Sequence, residues 1–202
     1  MKFSKFISYF FHPINFPILG SILYFLLIPE HIYKQQEHIF ITVILIGTYI
    51  FPLFLVLLFK RFGMIDSLHM ETIEERKFPT IMFIAISLIL GNWLFQSNLV
   101  NLLSLFYFGY ALFLLCSYLF LKFNIKLSLH LAAIGGLIGF LIYFSTYYQI
   151  NLIIILVTLF ALSGIIAYSR LRLQAHKPNE IILGYVLSII SQFLVYFVYY
   201  MI

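Results

Sequence analysis

The sequence predicts an all-α fold: a polytopic membrane bundle of about six to seven transmembrane helices, forming one integral membrane domain over residues 1–202. Three observations carry that prediction. The chain is 63% hydrophobic and only 9% charged, with a mean hydropathy of +1.06, a composition far from that of water-soluble domains. Its apolar residues fall into seven runs, each close to the roughly 20 residues that cross about 30 Å of hydrocarbon. The runs do not alternate polar with apolar, so they read as helices and not as barrel strands; lipid offers no other partner for the backbone polar groups.

The elements follow in order. The first run, 6–28, comes after Met1-Lys2-Phe3-Ser4-Lys5. It resembles a signal peptide only at its basic end, because it is long and no small-residue cleavage site follows Leu27, so it reads as a retained helix. His12-Pro13 sits about a third of the way along it, a histidine beside a kink that would face the bundle. The second run is 38–59. The only long loop follows, ending in acids before Pro79, a residue that suits a helix start. The third run is then 80–96 and the fourth 99–121. Ala132, Gly135, Gly136 and Gly139 give the fifth, 128–147, a small-residue packing face. The sixth is 151–168 and the seventh 180–201. The third and sixth are short, as tilted or partly buried helices would be. Cys116, the single cysteine, falls mid-helix and rules out an internal disulfide. Tyr24, Tyr147, Tyr148, Tyr199 and Tyr200 at span ends read as interfacial anchors, and Tyr143 and Tyr168 as core-packing residues, with the lining of a lipid path as the alternative.

Seven spans sort the connections onto two faces. Eleven of the 12 Lys and Arg fall on the face that carries residues 2–5 and the loops at 60–79, 122–127 and 169–179; only Lys34 falls on the other. The net charge of +5 therefore reports topology and anionic headgroups and does not call for nucleic acid. The positive-inside rule places the charged face in the cytoplasm, and a bacterial inner membrane is the expected location. Discounting Arg76, Lys126, Arg170 and Lys177 as possible ligands leaves seven against one. Turns at Gln96-Ser97-Asn98 and Tyr148-Gln149 leave the other face nearly bare.

Three polar clusters lie on the charged face. His69-Met70-Glu71-Thr72-Ile73-Glu74-Glu75-Arg76-Lys77-Phe78-Pro79 puts Arg76 just outside a span, at headgroup depth. Lys126-Leu127-Ser128-Leu129-His130 puts a histidine at the mouth of a span, where an ionisable group is a functional candidate. Ser169-Arg170-Leu171-Arg172-Leu173-Gln174-Ala175-His176-Lys177-Pro178-Asn179-Glu180 joins the last two runs. Arg170 and Arg172 must point different ways, so at most one faces a site. If a helix starts near Pro178, Glu180 lies in its first turn and can reach back to His176 and fix its tautomer.

Two histidines, a carboxylate partner and several cations suit phosphoryl transfer without a metal. One histidine attacks phosphorus, the other handles the proton of the leaving oxygen, and the cations hold the non-bridging oxygens. The flanking arginines and lysines would repel a metal ion and attract an anion, so no metal and no organic cofactor is expected.

These residues resemble the motifs of the type 2 phosphatidic acid phosphatase superfamily, whose fold is shared with vanadium haloperoxidases and glucose-6-phosphatase. That family carries Lys, six residues, Arg-Pro; then Pro-Ser-Gly-His; then Ser-Arg, five residues, His, three residues, Asp. Here Ser169-Arg170, five residues, His176, three residues and Glu180 match the third motif with Glu for Asp. Ser128 and His130 match the second, which has lost its Pro and Gly. The first survives as Arg76, two residues too far from Pro79, with His69 where Lys belongs. The resemblance implies a phosphatidic acid phosphatase/haloperoxidase-like core over about 65–202, with two added spans in 1–60. It implies His176 as nucleophile, Glu180 as its orienting partner, His130 as general acid, and Arg170, Ser128 and Arg76 as phosphate ligands. Lys126 matches no family position and joins the phosphate ligands on charge and proximity. Bacterial members usually carry the site on the periplasmic side, whereas the charge distribution here places it in the cytoplasm.

The function implied is a membrane-embedded lipid phosphate or pyrophosphate phosphatase working through a phosphohistidine, with a phosphorylated lipid as substrate and membrane lipids as surroundings. The altered first and second motifs motivate a second reading, an inactive lipid-phosphate binder or transporter on the same fold. A structural or assembly role for the same membrane protein is the third reading.

Overall fold

A computed structural model describes residues 2–63 and 72–201. The described residues form α1 (Lys2–Phe10), α2 (Asn15–Leu27), α3 (Lys34–Leu45), a π-helical turn (Ile46–Ile50), α4 (Phe51–Arg61), α5 (Ile73–Gln96), α6 (Asn101–Lys122), α7 (Leu129–Tyr148), α8 (Ile153–Arg172) and α9 (Pro178–Met201). The chain is 83% helical with no strand among these residues. Lys34–Arg61 and α5 to α9 make six helices long and apolar enough to cross a membrane, and the bent pair α1–α2 makes a possible seventh. The protein is an integral membrane protein by that measure.

Two boundaries differ from the sequence reading. The first run is not one helix: it breaks between Phe10 and Asn15, and α1 and α2 meet at 56°. Pro13 explains the break, since its ring disfavours helix at His12 and it has no N–H to give. The groups freed there find local partners, Ile14 N donating to His12 Nδ1 at 3.3 Å and Asn15 Nδ2 to the Phe10 carbonyl at 3.0 Å. The third span begins at Ile73, not at Pro79, which lies inside α5. Thr72 and Glu75 close a reciprocal capping box that starts the helix, the Thr72 hydroxyl accepting from Glu75 N at 3.3 Å and Glu75 Oε2 from Thr72 N at 2.9 Å. Arg76 is thereby part of the first turn of α5 and not of a loop. With 24 and 20 residues, α5 and α8 are also full-length spans and not short ones.

Lys34–Arg61 is continuous but locally widened. Pro52 cannot donate to the preceding turn, and just before it the Phe51 N–H reaches back five residues to Ile46 O. At the centre of the bundle is α7, apolar on all sides and buried from His130 to Leu141. Phe106 of α6, Tyr24 of α2, and Leu137, Phe140 and Phe144 of α7 form the middle of the core, so Tyr24 is a packing residue and not the interfacial anchor expected. The glycine face of α7 meets α9: a Cβ on Gly135 would stand 2.7 Å from the Tyr185 carbonyl, and one on Gly139 3.0 Å from Gln192. That close approach sets the ends of α7 and α9 side by side. Tyr143 packs flat on Tyr196, ring centroids 3.8 Å apart, whereas Tyr168 is exposed beneath the Arg172 guanidinium and not packed in the core as expected.

Candidate functional site

The two connections on the charged face, 123–128 and 173–177, meet the first turn of α5 at one end of the bundle. Each contact of the tie has a main-chain group of residues 126–128 as one partner. Ser128 N donates to the Glu180 carbonyl at 3.1 Å. Arg76 Nη1 donates to the Leu127 carbonyl at 3.4 Å. His176 Nδ1 lies 3.0 Å from the Lys126 carbonyl. Gly184, nearly two turns into α9, lets the Ser128 peptide approach so closely that a Cβ there would stand 2.9 Å from its oxygen. As the sequence anticipated, α9 starts at Pro178 and brings Glu180 back to His176, with Oε2 3.1 Å from Nδ1. The same carboxylate oxygen accepts from Lys177 N at 3.0 Å, which caps the helix.

These contacts fix the state of His176. Both neighbours of Nδ1 are acceptors, a carbonyl and a carboxylate, so Nδ1 carries the proton and the neutral ring keeps its lone pair on Nε2. The side chain is buried, and burial followed by the Arg76 and Arg170 guanidiniums pushes the imidazole down from 6.5 to about 4, against the opposing pull of Glu180. At neutral pH it is an uncharged base with its nucleophilic nitrogen defined.

His130, the second residue of α7, is buried beside it, within electrostatic range of Arg170 and His176. Its Nε2 lies 3.1 Å from the Ser8 carbonyl and 3.4 Å from the Ser8 hydroxyl. A carbonyl only accepts, so His130 holds its proton on Nε2. The two histidines thus present complementary nitrogens, a lone pair on one and an N–H on the other.

Arg170 and Arg172 separate as expected: Arg170 is buried, while Arg172 is exposed and donates to the Tyr168 hydroxyl at 2.8 Å. Arg170 Nη1 donates to the Ser8 hydroxyl, and its Nε is buried without a partner. The hydroxyls of Ser128 and Ser169 are likewise buried and unbonded. Unbonded polar atoms beside a buried guanidinium mark a place suited to an anion or ordered water. Lys126 contributes a carbonyl to the cluster through its main chain. His69 lies outside the described residues.

Sequence reasoning missed Ser8. It lies in α1, 162 positions from Arg170, in a stretch that reads as an addition to the core. Its place shows only in the fold, where Ser4 and Ser8, one turn apart, are buried and Phe3, Phe6 and Phe10 beside them are exposed. His12, left at the kink with only a general expectation, faces His130 edge-on with ring centroids 5.6 Å apart. A hollow of about 380 Å³ lined by Gln36, Trp93 and Gln96 is at the opposite end of α5 and touches none of these residues; the cluster itself is covered by α1.

No family model matches this chain, and no curated protein and no solved structure is detectably similar to it.

Proposed function

We propose that this membrane protein is a lipid phosphate or pyrophosphate phosphatase that works through a phosphohistidine, as a divergent member of the type 2 phosphatidic acid phosphatase superfamily. One observation carries the reading: His176 is held neutral with Nδ1–H on Glu180, beside the buried guanidinium of Arg170 and the N–H of His130.

In this mechanism Nε2 of His176 attacks phosphorus and a P–N bond forms as the bond to the leaving oxygen breaks. His130 enters this step as the imidazolium, gives its Nε2 proton to that oxygen and is left as the neutral ring. Glu180 stabilises the positive charge that develops on the His176 ring. Arg170, Arg76, Ser128 and Lys126 hold the non-bridging oxygens and offset their charge. Water then attacks phosphorus, His130 takes its proton, the P–N bond breaks, and inorganic phosphate leaves. The proton taken from water restores the His130 imidazolium for the next turnover.

A phosphorylated lipid fits as substrate because the cluster lies at the end of the spans, where a headgroup would sit. The Lys and Arg asymmetry favours a cytoplasmic site in a bacterial inner membrane. The second reading is a lipid-phosphate binder or transporter without turnover. It is favoured by Leu129, which replaces the glycine of the resembled motif.

The test is phosphate release by detergent-purified protein from a panel of lipid phosphates and pyrophosphates, without added metal, beside His176→Ala. Release that vanishes in the variant is the expected result. Absence of release by folded protein from every lipid offered would sink the hydrolase and leave the binder.

A further inference from the structure

We infer that α1 is a self-docked cap on this site, closed through Ser8 and withdrawn about the break at residues 11–14 when a phosphate group enters. The inference rests on reading Arg170 and His130 as phosphate-site groups.

Ser8 occupies both. Its hydroxyl accepts from Arg170 Nη1 and its carbonyl stands 3.1 Å from His130 Nε2. Two of the donors assigned to the substrate, Arg170 Nη1 and His130 Nε2, therefore meet one neutral residue. A hydroxyl is a weaker partner for a buried guanidinium than phosphate oxygens, which bind it through charge-assisted bonds. A phosphate group that reaches the site displaces Ser8 because it makes the stronger set of contacts.

The cap is lightly held. On α1 only Ser4, Ile7 and Ser8 are buried, so a single large apolar side chain anchors it. The Ser4 hydroxyl is buried with no partner, a cost that opening would relieve. Phe3, Phe6, Tyr9 and Phe10 are each about 60% exposed on the outer side. With Lys2 and Lys5, also exposed, they suit a helix lying in the headgroup region, which gives the withdrawn cap a place to rest. The hinge is present already: residues 11–14 are non-helical, Pro13 lies among them, and α1 meets α2 at 56°. Because Ser8 meets His130 as well as Arg170, closure masks the acid and the phosphate clamp together.

The test uses full-length protein in lipid nanodiscs, with Cys116→Ser and a reporter thiol at Ser4→Cys, a near-isosteric change on the buried face. The rate of modification by a water-soluble maleimide is measured alone, with inorganic phosphate, and with phosphatidic acid in the bilayer. Ile7→Cys serves as an independent second probe. Modification accelerated about tenfold by either phosphate source is expected, together with a faster basal rate when Ser8→Ala is added. Acceleration by phosphatidic acid alone assigns the trigger to a headgroup; acceleration by both assigns it to the phosphate itself. A rate unchanged or slowed by both sources overturns the cap. Protein that releases phosphate from lipid yet shows no change loses the cap and keeps the phosphatase. Protein that opens with phosphate but hydrolyses nothing keeps the cap and loses the phosphatase.

Discussion

Glu180 Oε2 stands 3.1 Å from His176 Nδ1 while also accepting the Lys177 N–H at 3.0 Å, so one carboxylate oxygen both orients the ring and caps α9. The orienter cannot drift without loosening the start of the helix. Glu180→Gln should therefore lower turnover by about 10²-fold or more, since the amide can present its N–H to Nδ1 and favour the wrong tautomer. Steady-state kcat with unchanged circular dichroism checks this, and a loss below threefold would remove Glu180 from the mechanism.

The pH dependence has a definite sign. His176 titrates at about 4, lowered by burial and then by Arg76 and Arg170. The acid limb of kcat/KM should therefore lie well below 6.5. Arg76→Gln removes a cation, favours the protonated ring and should move that limb to higher pH. Folding stability follows the same linkage. The unfolded chain binds the proton first, so stability falls as pH drops from about 6.5 toward 4, by at most about 1.4 kcal/mol per pH unit. Thermal melts of wild type and His176→Asn across that window test the slope, which the variant should lose.

Arg170 and Arg172 should behave oppositely although they are two residues apart. Arg170→Gln removes the buried guanidinium and should cost about 10²-fold or more in kcat/KM. Arg172 is exposed and bonds only the Tyr168 hydroxyl among the contacts described, so Arg172→Gln should stay within about threefold. Equal effects would mean that α8 presents a different face to the site.

Glycine substitutions separate packing from freedom. A Cβ on Gly184 would meet Ser128 main-chain atoms at 2.9 and 3.1 Å, and backbone cannot step aside. Gly184→Ala should destabilise by about 1–3 kcal/mol and reduce activity with it. Gly164 in α8 has nothing within 4 Å of its would-be Cβ, so Gly164→Ala should be neutral or slightly stabilising. Melting temperatures in detergent decide between them.

The proposed orientation is open to a direct test. Seven crossings, counting the bent α1–α2 pair as one, put the site and the chain end after Ile202 on opposite sides. A reporter fused after Ile202 should read as periplasmic. A cytoplasmic signal would overturn either the orientation or the crossing count.

Local rules made some features legible in the sequence. Pro178 set a helix start, which carried Glu180 to His176, and helical spacing separated Arg170 from Arg172. Run length located the spans, and the charge asymmetry brought the loops at 122–127 and 169–179 to one face. The misreadings came from competing local rules. Pro79 looked like a helix start, yet the capping box of Thr72 and Glu75 starts α5 one turn and more earlier, and the long apolar helix carries the interior proline despite its lost bond and ring clash. Run length alone hid the break at Pro13. Ser8 was out of reach for another reason. A small hydroxyl that meets Arg170 across 162 positions leaves no periodic trace in the chain, because only the docking of α1 on α8 creates the contact.

The segment leading into α7 holds its partners through consecutive peptide groups: the Lys126 carbonyl for His176, the Leu127 carbonyl for Arg76, and the Ser128 N–H for the Glu180 carbonyl. A ladder of that kind counts residues and does not read them. Exchanging any one side chain disturbs at most one rung, whereas adding or deleting a single residue there throws all three out of step together. Through divergence, the length of this stretch should therefore be held more strictly than its spelling.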